Sequence, residues 1–361
     1  DAVRREPVRD ALLVFFHFQG PDGNIVDGYV PKDQGNVGYK YLLAETKPQF
    51  KAHKNTVETD QESSLVIAVC RYIRKTDDAA ILDEVVRGIP VRARLELALQ
   101  YPLRHRYSER YGLIWGATTA DWGDVQPEHP WGVELDENSH RAIDIYDNAL
   151  LLVAIDDYLA TVCPHDDAGK KKWKTVRAEL RTAARTHLWD DKAAQFTPHI
   201  YLEGSPFPSD FDESEVFYHG GTAVAIEAGL LELDEIAAVY RKMRENVQSA
   251  HAATIGLTLF PTYPAGAFQN PSMGPYSYQN GGDWTWFGAR MVRQLARNGM
   301  VEESFRELSP MLDRVLQHDG FYEWWTPNNQ PHGSGSFRGS AGVLIEAITE
   351  LRQWAQQELS E

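Results

Sequence analysis

The residues best suited to catalysis are carboxylates placed among tryptophans in two distant stretches of the chain. Residues 121–124 read Asp-Trp-Gly-Asp, and Glu323 is followed directly by two tryptophans. Cleavage of a glycosidic bond needs an acid that protonates the leaving oxygen and a second carboxylate that activates water or attacks the sugar. Apolar neighbours raise the pKa of a carboxyl group, which keeps such an acid protonated near neutral pH. The pattern predicts an acid within residues 121–124 and a base at Glu323.

Structural roles compete with this interpretation. An aspartate in a loop most often caps a helix or closes a turn, and this alternative applies to Asp121 and Asp124. For Glu323 the alternative is a rim position that only contacts solvent. Loop residues of such conspicuous composition are nevertheless often functional, so both interpretations stay open on local sequence alone.

Two further stretches carry groups that suit sugar hydroxyls. Residues 278–284 read Tyr-Gln-Asn-Gly-Gly-Asp-Trp, in which Gln279 and Asn280 supply donors and acceptors and the glycines allow close approach of a ligand. The structural alternative is a glycine-rich turn with Asp283 as a helix N-cap. Asp60 and Gln61 open a helix, where capping is the first interpretation and a sugar contact is compatible with it.

Composition excludes several classes of function. The formal net charge is -16, with no extended basic run, so a nucleic-acid surface is not expected. No stretch is long and apolar enough to span a bilayer. Phosphate-binding loops, nucleophile elbows and zinc spacings are absent from the sequence, which predicts no cofactor and no metal, with Ca²⁺ left open. Cys70 and Cys163 lie in apolar helical patterns and are expected to be buried thiols, which favours a cytoplasmic location without fixing it.

Helical periodicity dominates the chain, so the predicted fold class is all-α. The predicted helices lie at residues 8–18, 61–73, 78–107 with a break at 88–90, 137–162, 167–189, 214–231, 234–250, 283–298, 301–317 and 336–357. Residues 195–202 are the best candidate for a short strand. Short links alternate with long loops, as in helical hairpins that place their long loops on one face. No linker is evident, so residues 1–361 are expected to form one domain.

Taken in order, these stretches resemble the six-hairpin glycosidase superfamily, an α/α toroid. It includes trehalases, the cellobiose phosphorylase group, and the processing α-glucosidases and amylo-α-1,6-glucosidases, which the chain is most similar to. The resemblance implies that Asp124 is the general acid, with Asp121 the weaker candidate, and that Glu323 is the general base. It also implies that the remaining site residues bind sugar: Asp60, Gln61, Trp115, Asp121, Trp122, Tyr278, Gln279, Asn280, Trp284, Trp286, Trp324 and His332.

The resemblance also raises a question of completeness. Such toroids have twelve helices, whereas the pattern here gives ten or eleven and lacks the first helix. One expectation is therefore that an upstream segment or domain completes the ring.

Three functions are consistent with the sequence. The leading one is an inverting exo-acting hydrolase of an α-glucoside or short oligosaccharide, with its two carboxyl groups roughly 6.5–9.5 Å apart. The second is a disaccharide phosphorylase, for which His332 and Arg338 would supply a phosphate site. The third is a sugar-binding module without catalysis, since fold alone does not set function.

Overall fold

The computed structural model describes residues 2–36, 40–163 and 167–360, with side chains from Arg5 onward. These residues contain ten α-helices, which confirms the all-α prediction. They are α1 Ala2–Phe18, α2 Gln61–Thr76, α3 Val91–His105, α4 Ile145–Thr161, α5 Asp167–His187, α6 His219–Glu227, α7 Leu233–Ala250, α8 Thr285–Arg297, α9 Val301–His318 and α10 Arg338–Glu358.

Short antiparallel strands occupy the long loops. They are β1 Gly28–Pro31, β2 Leu42–Leu43, β3 Phe50–His53, β4 Val85–Val86, β5 Ile89–Pro90, β6 Tyr107–Ser108, β7 Leu113–Ile114, β8 Gly116–Ala117, β9 Arg141–Ile143, β10 Trp189–Asp190, β11 Gln195–Phe196, β12 Ile200–Tyr201, β13 Phe217–Tyr218, β14 Leu259–Phe260, β15 Trp324–Trp325 and β16 Pro331–His332. The predicted strand at residues 195–202 corresponds to β11 and β12. These strands pair in groups of two or three, which connects loop segments to one another, and they form no extended sheet.

The helix predicted from residue 78 to the break at 88–90 is wrong, since a short 3-10 helix at Ala79–Asp83 precedes β4 there. Two further helix predictions fail at their N-terminal ends. Residues 141–143 form β9, which pairs with β12, so α4 begins only at Ile145. Residues 217–218 pair with residues 259–260 instead of starting α6. In both cases tertiary strand pairing overrides local helical periodicity. The break predicted at residues 88–90 is confirmed by the hairpin of β4 and β5, with Gly88 at a φ of 76°.

The described residues divide into two compact units. The first contains the described residues up to Gly116, with Val133–Leu135 and Leu150–Ala184; the second contains Ala117–Gly132, Asp136–Ala149 and the described residues from Arg185 onward. The first unit includes α1 to α3, the sheet of β1, β3 and β2, and a core cluster around Val14, Val26 and Ala52. The prediction of one domain over residues 1–361 stays a prediction.

The second unit is built on helical hairpins, as the short links predict. A turn at Asn298–Met300 joins α8 to α9, and α8 also packs against α6 and α10. A capping box between Glu232 and Glu235 starts α7, since each side chain accepts a backbone N–H that the helix leaves unpaired. α9 ends at His318, and the C-cap residue Asp319, with a left-handed φ of 49°, turns the chain into the loop that carries Glu323.

Candidate active site

The predicted acid, Asp124, is held by the side chain of Gln279. The Gln279 amide nitrogen donates to Asp124 Oδ1 at 2.8 Å, and its oxygen accepts the backbone N–H of Asp124 at 3.3 Å. Asp124 is half-buried, whereas Gln279 is buried. A Cβ at Gly123 would lie 3.0 Å from the Gln279 oxygen, so the glycine makes room for this two-point contact. The sequence predicted both residues for the site but not their contact.

Asp121 anchors the same loop to the start of α6. Its two carboxylate oxygens accept the backbone N–H groups of Gly220 and Gly221, each at 2.7 Å. The first turn of a helix leaves these N–H groups without intrahelical partners. The positive end of the helix dipole also lies there and favours a negatively charged carboxylate. Asp121 is only 1% exposed, and burial raises its pKa while the two N–H bonds oppose the rise. This geometry favours a structural role for Asp121 over its predicted contact with substrate.

Trp122 lies between the two aspartates in the sequence, and its ring packs in a cluster of aromatic rings. Its ring stacks on Phe287, with centroids 4.7 Å apart, and meets Trp284 edge-on at 4.6 Å. Trp286 also meets Phe287 edge-on, at 6.2 Å. A side chain at Gly220 would collide with the Trp122 indole, so the glycine at the start of α6 is needed for packing as well as for binding Asp121. The indole N–H of Trp122 is buried and has no hydrogen-bond partner among the described residues.

Asn280 supports the loop at residues 278–284 from inside. Its amide nitrogen donates to the carbonyls of Tyr263 and Met273, at 3.1 and 3.0 Å, and its oxygen accepts the N–H of Tyr263 at 2.8 Å. The residue is fully buried. This use of both donors favours support of the loop over the predicted sugar contact of Asn280.

Asp283 joins this loop to the strand that follows Glu323. Its backbone exchanges two hydrogen bonds of 2.8 Å with Trp325. Its carboxylate accepts bonds from the N–H and hydroxyl of Thr254 and lies 2.9 Å from the guanidinium of Arg314. Arg314 is itself buried and lies over the Trp325 ring, 4.7 Å from its centroid. Asp283 is therefore a buried anchor, and the residue at the N-cap of α8 is Trp284, not Asp283 as the structural alternative held.

The predicted base, Glu323, is half-buried at the edge of a turn. Its Oε2 accepts the backbone N–H of Ser334 at 3.3 Å, and its backbone N–H donates to the Ser334 carbonyl at 3.0 Å. Gly333 has a φ of 69°, and any side chain there would collide with the Glu323 carboxylate. The glycine therefore leaves the carboxylate room to lie against the turn.

Aromatic contacts link Glu323's neighbour to the acid's supporting loop. Trp324 stacks on the exposed His332, with centroids 4.5 Å apart and planes 16° from parallel. Trp324 also meets the Tyr278 ring at 6.2 Å, and Tyr278 meets Trp284 at 5.2 Å. A continuous set of contacts therefore runs from Glu323's segment through residues 278–284 to Asp124.

Three predicted sugar-binding residues lie in the first unit. Gln61 is buried, accepting a bond from Lys54 at 2.7 Å and donating to Glu58 at 2.6 Å. Asp60 occupies the N-cap position of α2 without a side-chain capping bond. Trp115 lies under the guanidinium of Arg106, 4.7 Å from the ring centroid. Their roles in binding sugar stay predictions.

The sequence did not reveal a polar network centred on the half-buried Glu213. Its carboxylate accepts bonds from His199 Nδ1 at 2.8 Å, Tyr201 at 2.7 Å and Tyr263 at 2.6 Å. Burial alone would raise the pKa of Glu213, but the nearby His199 and these bonds lower it. Tyr218 extends the network, bonding Tyr263 at 2.5 Å and the carbonyl of Thr119 at 3.3 Å. The network thus reaches the acid's loop, yet its members are too widely spaced in sequence to form a motif.

Asp144 lies directly before α4 and is the second buried carboxylate with a raised pKa. It accepts the N–H of Asp147 at 2.8 Å. Burial raises its pKa from 3.8 to about 6, although N–H bonds and the nearby His199 oppose the rise. Because the folded-state pKa is the higher one, Asp144 contributes stability below pH 4 that is lost as the pH rises through 6.

We therefore expect Asp144→Asn to change the pH dependence of unfolding. Asn still accepts the Asp147 N–H but does not ionise. Relative to wild type, the free energy of unfolding of the variant should gain on the order of 3 kcal/mol between pH 4 and pH 7.5. Urea unfolding at both pH values measures this. The exposed Asp210→Asn is the matched control, and parallel pH profiles for Asp144→Asn and wild type would contradict the expectation.

Neither a metal site nor a membrane span was found in the described ranges. No group of three or more His, Cys, Asp and Glu side chains there is arranged to hold a metal ion. No helix there is both long and apolar enough to cross a bilayer. Cys70 and Cys163 are both buried, as predicted, and burial raises the pKa of the Cys70 thiol to about 12.

Comparison with known proteins gives matches in structure only. No protein-family model and no curated protein sequence matches the chain. An uncharacterised conserved protein from Thermus thermophilus is 16% identical, with a TM-score of 0.66 over 96% of this chain and 89% of that one. A family 63 mannosylglycerate hydrolase from the same organism is 18% identical, with a TM-score of 0.64 over 94% and 86%.

A rhamnosidase from Klebsiella oxytoca is 13% identical, with a TM-score of 0.61 over 98% of this chain and 55% of the rhamnosidase. The TM-scores show a shared fold, and identities this low leave activity open. The chain therefore has the fold of the six-hairpin glycosidases, as the order of its motifs predicts.

Proposed function

We propose that the protein is an inverting glycoside hydrolase in which Asp124 is the general acid and Glu323 the general base. The observation that carries the proposal is that one loop, residues 278–284, contacts both the Asp124 carboxylate and the segment that carries Glu323. Gln279 holds Asp124, and Asp283 pairs with Trp325 two residues after Glu323. The reaction requires two carboxyl groups that flank one glycosidic bond, and a shared supporting loop is a way to hold two such groups in a fixed relation.

Each proton transfer in the proposed reaction has a defined donor and acceptor. Asp124 gives its proton to the glycosidic oxygen as the bond from that oxygen to the anomeric carbon breaks. Glu323 takes a proton from water as the water oxygen bonds to the opposite face of the same carbon. Asp124 ends ionised and Glu323 ends protonated, and exchange with solvent restores both. The product of an α-glycoside is then the β-anomer.

The substrate class is proposed to be a short α-glycoside attacked from its end. The sequence resemblance favours an α-glucoside. The structural neighbours are a mannosylglycerate hydrolase and a rhamnosidase, which makes α-mannosides and α-rhamnosides the next candidates. The half-buried Trp122 and Trp324 would stack on sugar rings, whose C–H faces suit an indole. Trp284 is only 3% exposed and packs against Trp122 and Tyr278, which favours a structural role over its predicted sugar contact.

A product assay tests the proposal. The purified protein is incubated with a panel of α-glucosides, α-mannosides and α-rhamnosides in phosphate-free buffer, and the first anomer released is read by proton NMR. We expect the β-anomer from one class. Release of the α-anomer first would contradict inversion. Equal release by an identically purified Asp124→Asn variant would remove Asp124 from the mechanism.

A further inference from the structure

Trp131 is presented to solvent at the tip of a turn next to the acid's loop. It is 78% exposed, whereas Trp354, the other tryptophan among the exposed large apolar residues, is 41% exposed. Single exposed apolar side chains are common on protein surfaces, so the exposure of Trp131 gains meaning from its position beside the acid's loop.

The turn that carries Trp131 is held closed by specific contacts. The N–H of Gln126 donates to the Gly132 carbonyl at 3.1 Å, and the N–H of Gln269 donates to the Pro127 carbonyl at 3.0 Å. Gly132 has a φ of 68°, and a Cβ there would lie 2.9 Å from the Val125 side chain. The turn is therefore ordered before any ligand arrives, which lowers the entropic cost of binding on it.

The same contacts place Trp131 close to the candidate acid. A Cβ at Gly132 would lie 3.0 Å from the Val125 Cα, and Val125 is the next residue after Asp124. Because consecutive Cα atoms are about 3.8 Å apart, the Cα atoms of Trp131 and Asp124 are within roughly 12 Å of each other. That distance is on the scale of one or two sugar rings.

The chemistry of the acid identifies which part of the substrate lies there. A general acid must contact the glycosidic oxygen, and that oxygen departs with the leaving group. The leaving group therefore lies on the side of Asp124 and its loop. We propose that Trp131 is a stacking platform for a neutral sugar in the leaving-group position; this inference rests on the proposed function. The platform would make the enzyme prefer glycosides whose leaving group is itself a sugar.

The test compares Trp131→Ala with wild type on two substrates that share one glycone. One is a disaccharide that wild type hydrolyses, and the other is the corresponding glycosyl fluoride, whose leaving group is a single atom. For the disaccharide we expect kcat/KM to fall about tenfold, and for the fluoride to stay within about twofold. Trp131→Phe should lie between Ala and wild type. Trp354→Ala on α10 is the matched control and should leave both substrates unchanged.

Other outcomes overturn the platform. An equal loss of kcat/KM on both substrates would contradict it, and so would an unchanged kcat/KM on the disaccharide. A wild-type dimer that Trp131→Ala converts to a monomer in sedimentation would also contradict it. If wild type hydrolyses nothing on the panel, the proposed function fails separately. Calorimetric binding of the same disaccharides then decides: weaker binding by Trp131→Ala than by wild type retains the sugar site, and equal or undetectable binding by both removes it.

Discussion

Asp124→Asn is expected to lower kcat on a disaccharide by at least about a thousandfold, and Glu323→Gln to do the same. Each substitution keeps the size of the side chain and removes its ability to exchange a proton. The two losses should differ in character. Fluoride leaves without help from an acid, so Asp124→Asn should retain much of its activity on a glycosyl fluoride. Glu323→Gln should lose activity on both substrates, because water must still be activated.

Steady-state kinetics on the paired substrates measures this difference. The exposed Asp210→Asn is the control for loss of one carboxylate and should match wild type. Near-wild-type kcat on the disaccharide for either variant would remove that residue from the mechanism. An Asp124→Asn enzyme equally impaired on the fluoride would show that Asp124 acts in some way other than protonation of the leaving oxygen.

Arg314→Met is expected to lower the free energy of unfolding by about 3–5 kcal/mol, which is typical when one partner of a buried ion pair is removed. Arg314 and Asp283 are both buried, and the substitution leaves the Asp283 carboxylate without its countercharge. It also removes the cation over the Trp325 ring. Because Asp283 joins residues 278–284 to the Glu323 segment, stability and activity should fall together.

A double variant separates the lost charge from the lost packing. Arg314→Met combined with Asp283→Asn leaves no buried unpaired charge and should recover a substantial part of the stability. Urea unfolding followed by tryptophan fluorescence measures both variants. The control is Arg306→Met, an exposed arginine on the same helix, which should stay within about 0.5 kcal/mol of wild type. A loss of under 1 kcal/mol for Arg314→Met would contradict the anchoring role of the pair.

The sequence predicted the elements well because each helix carries its own periodicity and its own end signals. α7 and α9 lie within a residue or so of their predicted bounds, since acidic first turns and short links define them. α4 and α6 start late because residues 141–143 and 217–218 pair with strands distant in sequence. Such pairing leaves no local signal in either partner.

The sequence identified candidate site residues where residues of suitable chemistry lie close together in the chain. It missed residues that only the tertiary structure brings together. The stretches around Asp124 and Glu323 combine carboxylates, glycines and aromatics within a few residues. Glu213, His199 and Tyr263 form one network but are far apart in the chain. The sequence also could not separate Gln279, which contacts Asp124, from its neighbour Asn280, which supports the backbone.

One amide side chain constrains how the carboxyl group of the acid is turned. Gln279 donates its N–H to Asp124 Oδ1, and the opposite end of the amide is fixed by the backbone N–H of Asp124. An oxygen that accepts an N–H holds a proton more weakly, so the bond from Gln279 lowers the proton affinity of Oδ1. A neutral side chain that takes no part in the proton transfer thereby influences both the orientation and the acidity of the group that does.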